Sequence, residues 1–142
     1  MTPLRRDVST DVVHLLLEVT FAQRDRIEAA ARAHDLTASG ALLLLHLESP
    51  TPMSELARVL RCDASNITGI VDRLAAHDLV ERVEHPADRR VRRVALTSLG
   101  RRIRDAVDAE LVGSDPGLDA LNSDERSQLR DLLARVATQY RP

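Results

Sequence analysis

The stretch from Met53 to Thr97 reads helix, turn, helix, then two short strands joined by an arginine-loaded hairpin. No other part of the chain constrains the fold as much. In MSELARVLRCDASNITGIVDRLAAHDLVERV, apolar residues fall at helical spacing on two segments divided by a tight turn at Arg61, Cys62 and Asp63. The first helix covers residues 54–60. The second opens at Asp63 or Ala64, ends near His77 and turns Ile67, Ile70, Val71 and Leu74 inward. Residues 79–84 and 92–96 then roughly alternate apolar and polar, the period of a half-buried strand. His85 to Arg90, with Pro86 and Asp88, forms the loop between them. Arg89, Arg90, Arg92 and Arg93 lie on and beside that loop. A helix pair of this kind can lay its second helix in a DNA major groove. A basic loop next to it can reach phosphates or a minor groove.

The flanks read as helices. Residues 7–34 carry Val8, Val12, Leu15, Leu16, Val19, Ala22 and Ile27, mostly three and four apart. Thr37 is an N-cap for a helix over residues 38–48, which Pro50 and Pro52 end. Thr97 or Ser98 caps a further helix with Ile103, Val107 and Leu111 as its stripe. Residues 113–117, Gly-Ser-Asp-Pro-Gly, form a break, and a last helix opens at Ser123 with Leu129, Leu132, Leu133, Val136 and Tyr140. The two terminal helices are amphipathic, and an isolated helix cannot bury its stripe. The simplest arrangement packs them on each other, with part of the surface meeting a second copy.

Charge supports a divided molecule. Net charge over 142 residues is only −2, but residues 54–104 hold eleven Arg against seven acids. Residues 1–53 hold five Arg against seven acids, and residues 105–142 four against eight. A basic middle between acidic flanks is the pattern of one module that meets phosphates. No apolar run approaches the ~18 residues of a membrane span, and after the two N-terminal Arg no signal-peptide apolar stretch comes before charges return. A cytoplasmic protein without membrane association is the expectation. The lone Cys62 excludes an internal disulfide.

The segment CDASNITGIVDRLAAHDLVERV followed by DRRVRRVALTSLG resembles the MarR family of bacterial transcription regulators. The SELA-type helix, the D-x-S opening, the VDRL and LVER runs and the wing D-R-R with LT-x-x-G carry the likeness together. It covers the middle of the chain closely, and the order of the flanking helices agrees. The resemblance implies a mainly α winged helix-turn-helix fold with a small β-wing: six helices and a two- to three-stranded antiparallel hairpin. It implies a single domain over residues 1–142, with a DNA-binding part at 36–97 and dimerisation helices at 1–35 and 98–142. It further implies a homodimer on a pseudo-palindromic double-stranded operator, and a repressor released by a small-molecule effector. Protein-interaction without a DNA role, and a redox- or metal-responsive regulator, are the competing readings.

Carried onto this chain, the resemblance places Ser65, Asn66 and Thr68 at the exposed start of the recognition helix, suited to base edges or phosphates. Capping chemistry is the competing role for Ser65 and Asn66. Arg73 becomes a phosphate clamp. In the wing, Asp88 and Arg90 match an Asp-x-Arg in which the carboxylate orients the guanidinium toward the minor groove, flanked by Arg89 and Arg92. Asp88 as a plain turn residue is the alternative. Three positions depart from the pattern: Gly69 where Arg is frequent, Arg61 where Gly is frequent, and Asp78 where Gly usually ends the recognition helix.

Other chemistry is thinly represented. No glycine-rich phosphate loop, nucleophile elbow or Ser-His-Asp arrangement is legible, so an enzyme is not expected. The five His form no i, i+4 pair and no cluster with Cys62, so neither a metal site nor a cofactor is expected. Cys62 reads as a packing residue. His14 and His46 lie on apolar helices and are candidates to line a ligand pocket, with satisfied core histidines as the competing reading. With one Phe, one Tyr and no Trp, an effector cavity would be mainly aliphatic.

Overall fold

A computed structural model describes residues 7–140. The chain runs α1 (Val8–Ala33), α2 (Ala38–His46), β1 (Thr51–Pro52), α3 (Met53–Val59) and α4 (Ala64–Ala76). It continues through β2 (Val80–Glu84), β3 (Arg92–Leu96), α5 (Ser98–Gly113), α6 (Pro116–Asp119) and α7 (Ser123–Thr138). Helix starts follow side-chain chemistry. Thr37, Asp63, Thr97, Asp115 and Asn122 occupy N-caps, and each side chain accepts a backbone N–H from the first turn behind it.

Three helix ends are less usual. Asp35, Arg61 and Asp78 follow α1, α3 and α4 with φ of 56°, 51° and 57°. This left-handed backbone is where glycine normally sits. In each case the next N–H bonds back five residues: Leu36 to Ala31, Cys62 to Ala57 and Leu79 to Leu74, at 2.9–3.0 Å. The apolar residue after each strained one (Leu36, Cys62, Leu79) packs on the main core. That burial holds the turn without glycine.

The sheet is antiparallel in the order β1-β3-β2. Register sets Val80 opposite Leu96, Arg82 opposite Val94 and Glu84 opposite Arg92. Thr51 and Pro52 pair with Val94 and Arg93, and proline is tolerated because β1 is an edge strand. The main core joins Leu43, Leu44 and Leu47 of α2 to Leu56, to Ile67, Ile70, Val71 and Leu74 of α4, and to Val80, Val94 and Leu96 of the sheet. A second cluster of small residues, Ala30, Ala31, Ala41 and Val107, lets α1, α2 and α5 approach closely. None of the described helices is long and apolar enough to cross a membrane.

The structure departs from the sequence expectation in three places. Seven helices form among the described residues, because Asp115 caps Pro116–Asp119 inside the stretch read as a break. Helix α2 stops at His46, two residues early. The terminal helices do not share a core. Helix α1 packs on α2 and α5, while α7 buries no residue. The portion of the 1–35 dimerisation span before Asp7 lies outside the described residues. An inter-helix clamp fixes α1 instead: Arg26 donates to the carbonyls of Leu111 and, at 2.6 Å, Ser114. Gln23 donates to the buried Asp115 carboxylate at 2.7 Å. That hydrogen bond, helped by the N–H groups of Leu118 and Gly117 and by Arg26, holds the Asp115 carboxyl below its ordinary value despite burial.

Candidate nucleic-acid interface

The face of α4 opposite its buried residues is polar. Asp63 Oδ1 accepts from the Asn66 N–H at 2.7 Å and from the Ser65 hydroxyl at 2.9 Å. The Asn66 amide is the larger cause, and the Ser65 hydroxyl adds to it, in holding the Asp63 carboxyl below the usual carboxylate range. A fixed anion therefore sits at the positive end of the recognition helix. The Thr68 hydroxyl donates to Ala64 O at 2.8 Å. Ser65 and Thr68 thus spend their protons inside the chain and present only acceptor lone pairs outward. The Asn66 side-chain amide enters no hydrogen bond within the described residues and is exposed. Arg73 is exposed one turn before the helix ends. Gly69 is half-buried, and a methyl group added there would meet only Arg73 Nη1 at 3.9 Å.

The wing is tied to this helix. Arg82 of β2 binds Asp72 of α4 at 2.5 Å. The loop beyond is closed by His85 N–H on Val91 O and Val91 N–H on Asp88 O, at 3.2 and 3.0 Å. Asp88 Oδ1 accepts from the backbone N–H of Arg90 at 2.9 Å. The carboxylate therefore bonds the Arg90 backbone, the alternative turn role, and not the Arg90 guanidinium that the Asp-x-Arg reading had it orient. The Arg90 and Arg92 side chains are exposed and enter no ion pair within the described residues. Arg89 stands 3.7 Å from Glu84 with both side chains largely solvated, a contact of little energy. Arg93 turns back along the wing and reaches Glu84 O only at 3.4 Å.

The remaining candidates scatter. Cys62 is half-buried against the core, as a packing residue would be. His14 and His46 are both exposed, which corrects the core-histidine reading. His46 Nδ1 lies 2.8 Å from Leu42 O of its own helix, and His14 lines a shallow groove with Ser9, Thr10 and Val13. A separate cleft of about 330 Å³ between α2 and α5 is lined by Leu45, Glu48, Arg104, Asp105 and Asp108. Sequence reading missed it because its walls come from two helices about sixty residues apart, with no local pattern.

Residues 37–91 match the model of the MarR family. The HTH-type transcriptional repressor NicR of Pseudomonas putida is 31% identical over 133 residues, covering 92% of this chain and 84% of that protein. The structure of CouR from Rhodococcus jostii bound to p-coumaroyl-CoA superimposes with a TM-score of 0.78 at 26% identity, covering 93% of this chain and 95% of that one. AbsC, a MarR family transcriptional regulator from Streptomyces coelicolor, gives 0.78 at 25% identity over 99% of both chains. With a winged helix-turn-helix framed by long helices, and with these relatives matched over nearly its whole length, this chain belongs to the MarR family of DNA-binding transcriptional regulators.

Proposed function

We propose that two copies of the chain bind one pseudo-palindromic operator, each through α4 and its wing, and that they act there as a ligand-released repressor. The observation that carries this reading is the set of uncommitted groups on one module. Asn66 offers an amide able to bond adenine in a bidentate way. Arg73, Arg89 and Arg92 supply phosphate contacts, and Arg90 supplies a planar cation for a narrow minor groove. Ser65 and Thr68 add acceptors at the helix start. Asp88 acts by shaping the turn that carries Arg90.

A second copy is supported by apolar surface left in water. Val8, Val12, Leu15 and Val19 recur along one side of α1, and Leu132, Leu133 and Val136 along α7 with Tyr140 just past its end, all substantially exposed. Contiguous surface of this kind marks an interface. The CouR structure is bound to p-coumaroyl-CoA. The α2–α5 cleft of this chain, about 330 Å³ and mostly charged, is at the lower end of small-ligand site volumes. Its three carboxylates face a single Arg104, already engaged by Asp105 at 2.7 Å, so a neutral or cationic effector suits it better than an acid. His14 and His46 stand outside the lining of that cleft. Ligand displaces DNA by favouring a separation of the two recognition helices that B-form half-sites reject. Its site of action is the cytoplasm, and no catalytic step is involved.

Genome-wide mapping of bound sites, followed by gel shift on the recovered promoter at two salt concentrations, tests the reading. Binding that collapses with salt supports it, because each neutralised phosphate releases counterions. Salt-insensitive association, or recovery of no DNA, refutes it in favour of a protein-interaction module.

A further inference from the structure

The chain leaves the recognition helix through Asp78 and Leu79, and both of their carbonyls end on one residue. The Thr97 hydroxyl donates to Asp78 O at 2.5 Å. The Thr97 N–H donates to Leu79 O at 3.1 Å. The same hydroxyl accepts from the Gly100 N–H at 2.9 Å and so caps α5. Gly100 rests directly on Leu79: a Cβ there would stand 1.9 Å from Leu79 O. A single side chain thus joins the exit of α4, held at the left-handed Asp78, to the start of α5. Helix α5 in turn packs on α1 and α2, and α1 and α5 belong to the proposed dimer scaffold.

The other links between reading head and scaffold are apolar packing through α2 and arginine bonds from Arg61 to Tyr140 O at 2.9 Å, Arg101 to Leu96 O at 3.0 Å and Arg104 to Leu47 O at 3.4 Å, none of which touches the exit of α4. Apolar attraction is non-directional. Hydrogen bonds to carbonyls are directional. At the exit of α4, the directional bonds to α5 are those of the Thr97 junction. Resting on the reading of a dimer that spans two half-sites, we propose that Thr97 is a positioning residue for DNA recognition. Its bond to Asp78 O fixes the angle between α4 and α5, and with it the half-site spacing that the dimer accepts. One added base pair moves a half-site by about 3.4 Å and about 34° around the duplex. A fixed joint rejects that change; a loosened joint follows it.

Two variants separate this role from capping. Thr97→Asp keeps an acceptor for the Gly100 N–H but has no proton for Asp78 O at neutral pH. Thr97→Ser keeps both bonds. The probes are duplexes enriched by the full-length wild-type protein from a random-sequence pool, resynthesised with the central spacer one base pair longer and one shorter. Wild type and Thr97→Ser are expected to favour the selected spacing about ten-fold or more. Thr97→Asp is expected to bind all three spacings with near-equal affinity while still unfolding in one cooperative transition. Should Thr97→Asp not fold, the near-isosteric Thr97→Val must lose the discrimination in its place. Wild-type spacing discrimination in the folded variant overturns the proposal and leaves Thr97 as a cap. A wild-type protein that enriches no duplex overturns the DNA reading itself, and the proposal with it.

Discussion

Two glycine-to-alanine substitutions, both inside helices, are expected to have opposite signs. At Gly100 the added methyl carbon would lie 1.9 Å from Leu79 O and 2.9 Å from Leu79 C. A carbon and a carbonyl oxygen settle at about 3.3 Å or more, so roughly 1.4 Å must be found by moving backbone. Leu79 O cannot swing aside without losing the Thr97 N–H bond. Overpacking costs about 1–3 kcal/mol, and a backbone obstacle places Gly100→Ala at the upper end. For a chain of this size, that lowers the melting temperature by roughly 6–12 °C. At Gly69 nothing but Arg73 Nη1 lies within reach, at 3.9 Å. Alanine there removes only the conformational cost of glycine in a helix, so Gly69→Ala gains about 0.5–1 kcal/mol. Thermal unfolding followed by circular dichroism, at one protein concentration because a dimer melts concentration-dependently, measures both. Gly100→Ala melting with the wild type, or Gly69→Ala melting below it, would refute the reasoning.

Three further outcomes follow from named contacts. Arg90→Ala should weaken operator binding by about 1–3 kcal/mol in fluorescence anisotropy; unchanged affinity would remove Arg90 from the interface. Asp78→Gly should raise the unfolding free energy from urea titration by up to about 1 kcal/mol, since glycine adopts φ near 57° without the L-residue penalty; a lower value would show that the Asp78 turn is unstrained. The folded Asp115 carboxyl titrates below its ordinary 3.8. Its contribution is therefore complete above the unfolded value and is lost as pH falls through the lower folded one. Asp115→Asn should flatten the acid limb of the stability curve below about pH 4, and an acid limb identical to wild type would contradict the Gln23–Asp115 assignment.

What could be read in the sequence was local. Ile67, Ile70, Val71 and Leu74 repeat at helical spacing and do form the inner face of α4. The Thr37 and Thr97 caps lie one residue before the helices they open. What escaped depends on distant partners or on backbone direction. The pairing of Thr51–Pro52 with Val94 and Arg93 spans more than forty residues and has no signature in a two-residue strand. The positive φ of Asp35, Arg61 and Asp78 has no glycine to announce it; only the departures at Arg61 and Asp78 hinted at strain. Asp88 was visible as an acid beside Arg90, but its choice of a backbone N–H over a guanidinium is a matter of turn geometry. The stripe on α7 was legible as apolar. Its exposure was not, because amphipathicity shows that a face is to be covered and not by what.

The central claim is that paired recognition helices and arginine-tipped wings meet one duplex. The most direct measurement is anisotropy of a labelled promoter fragment titrated with protein across roughly 50–200 mM salt. Three phosphate-contacting arginines per protomer, Arg73, Arg89 and Arg92, give about six contacts for two copies and a log–log slope near −5. The account predicts that slope, with saturation at two protomers per site. A slope near zero, or saturation by a single protomer, would contradict it.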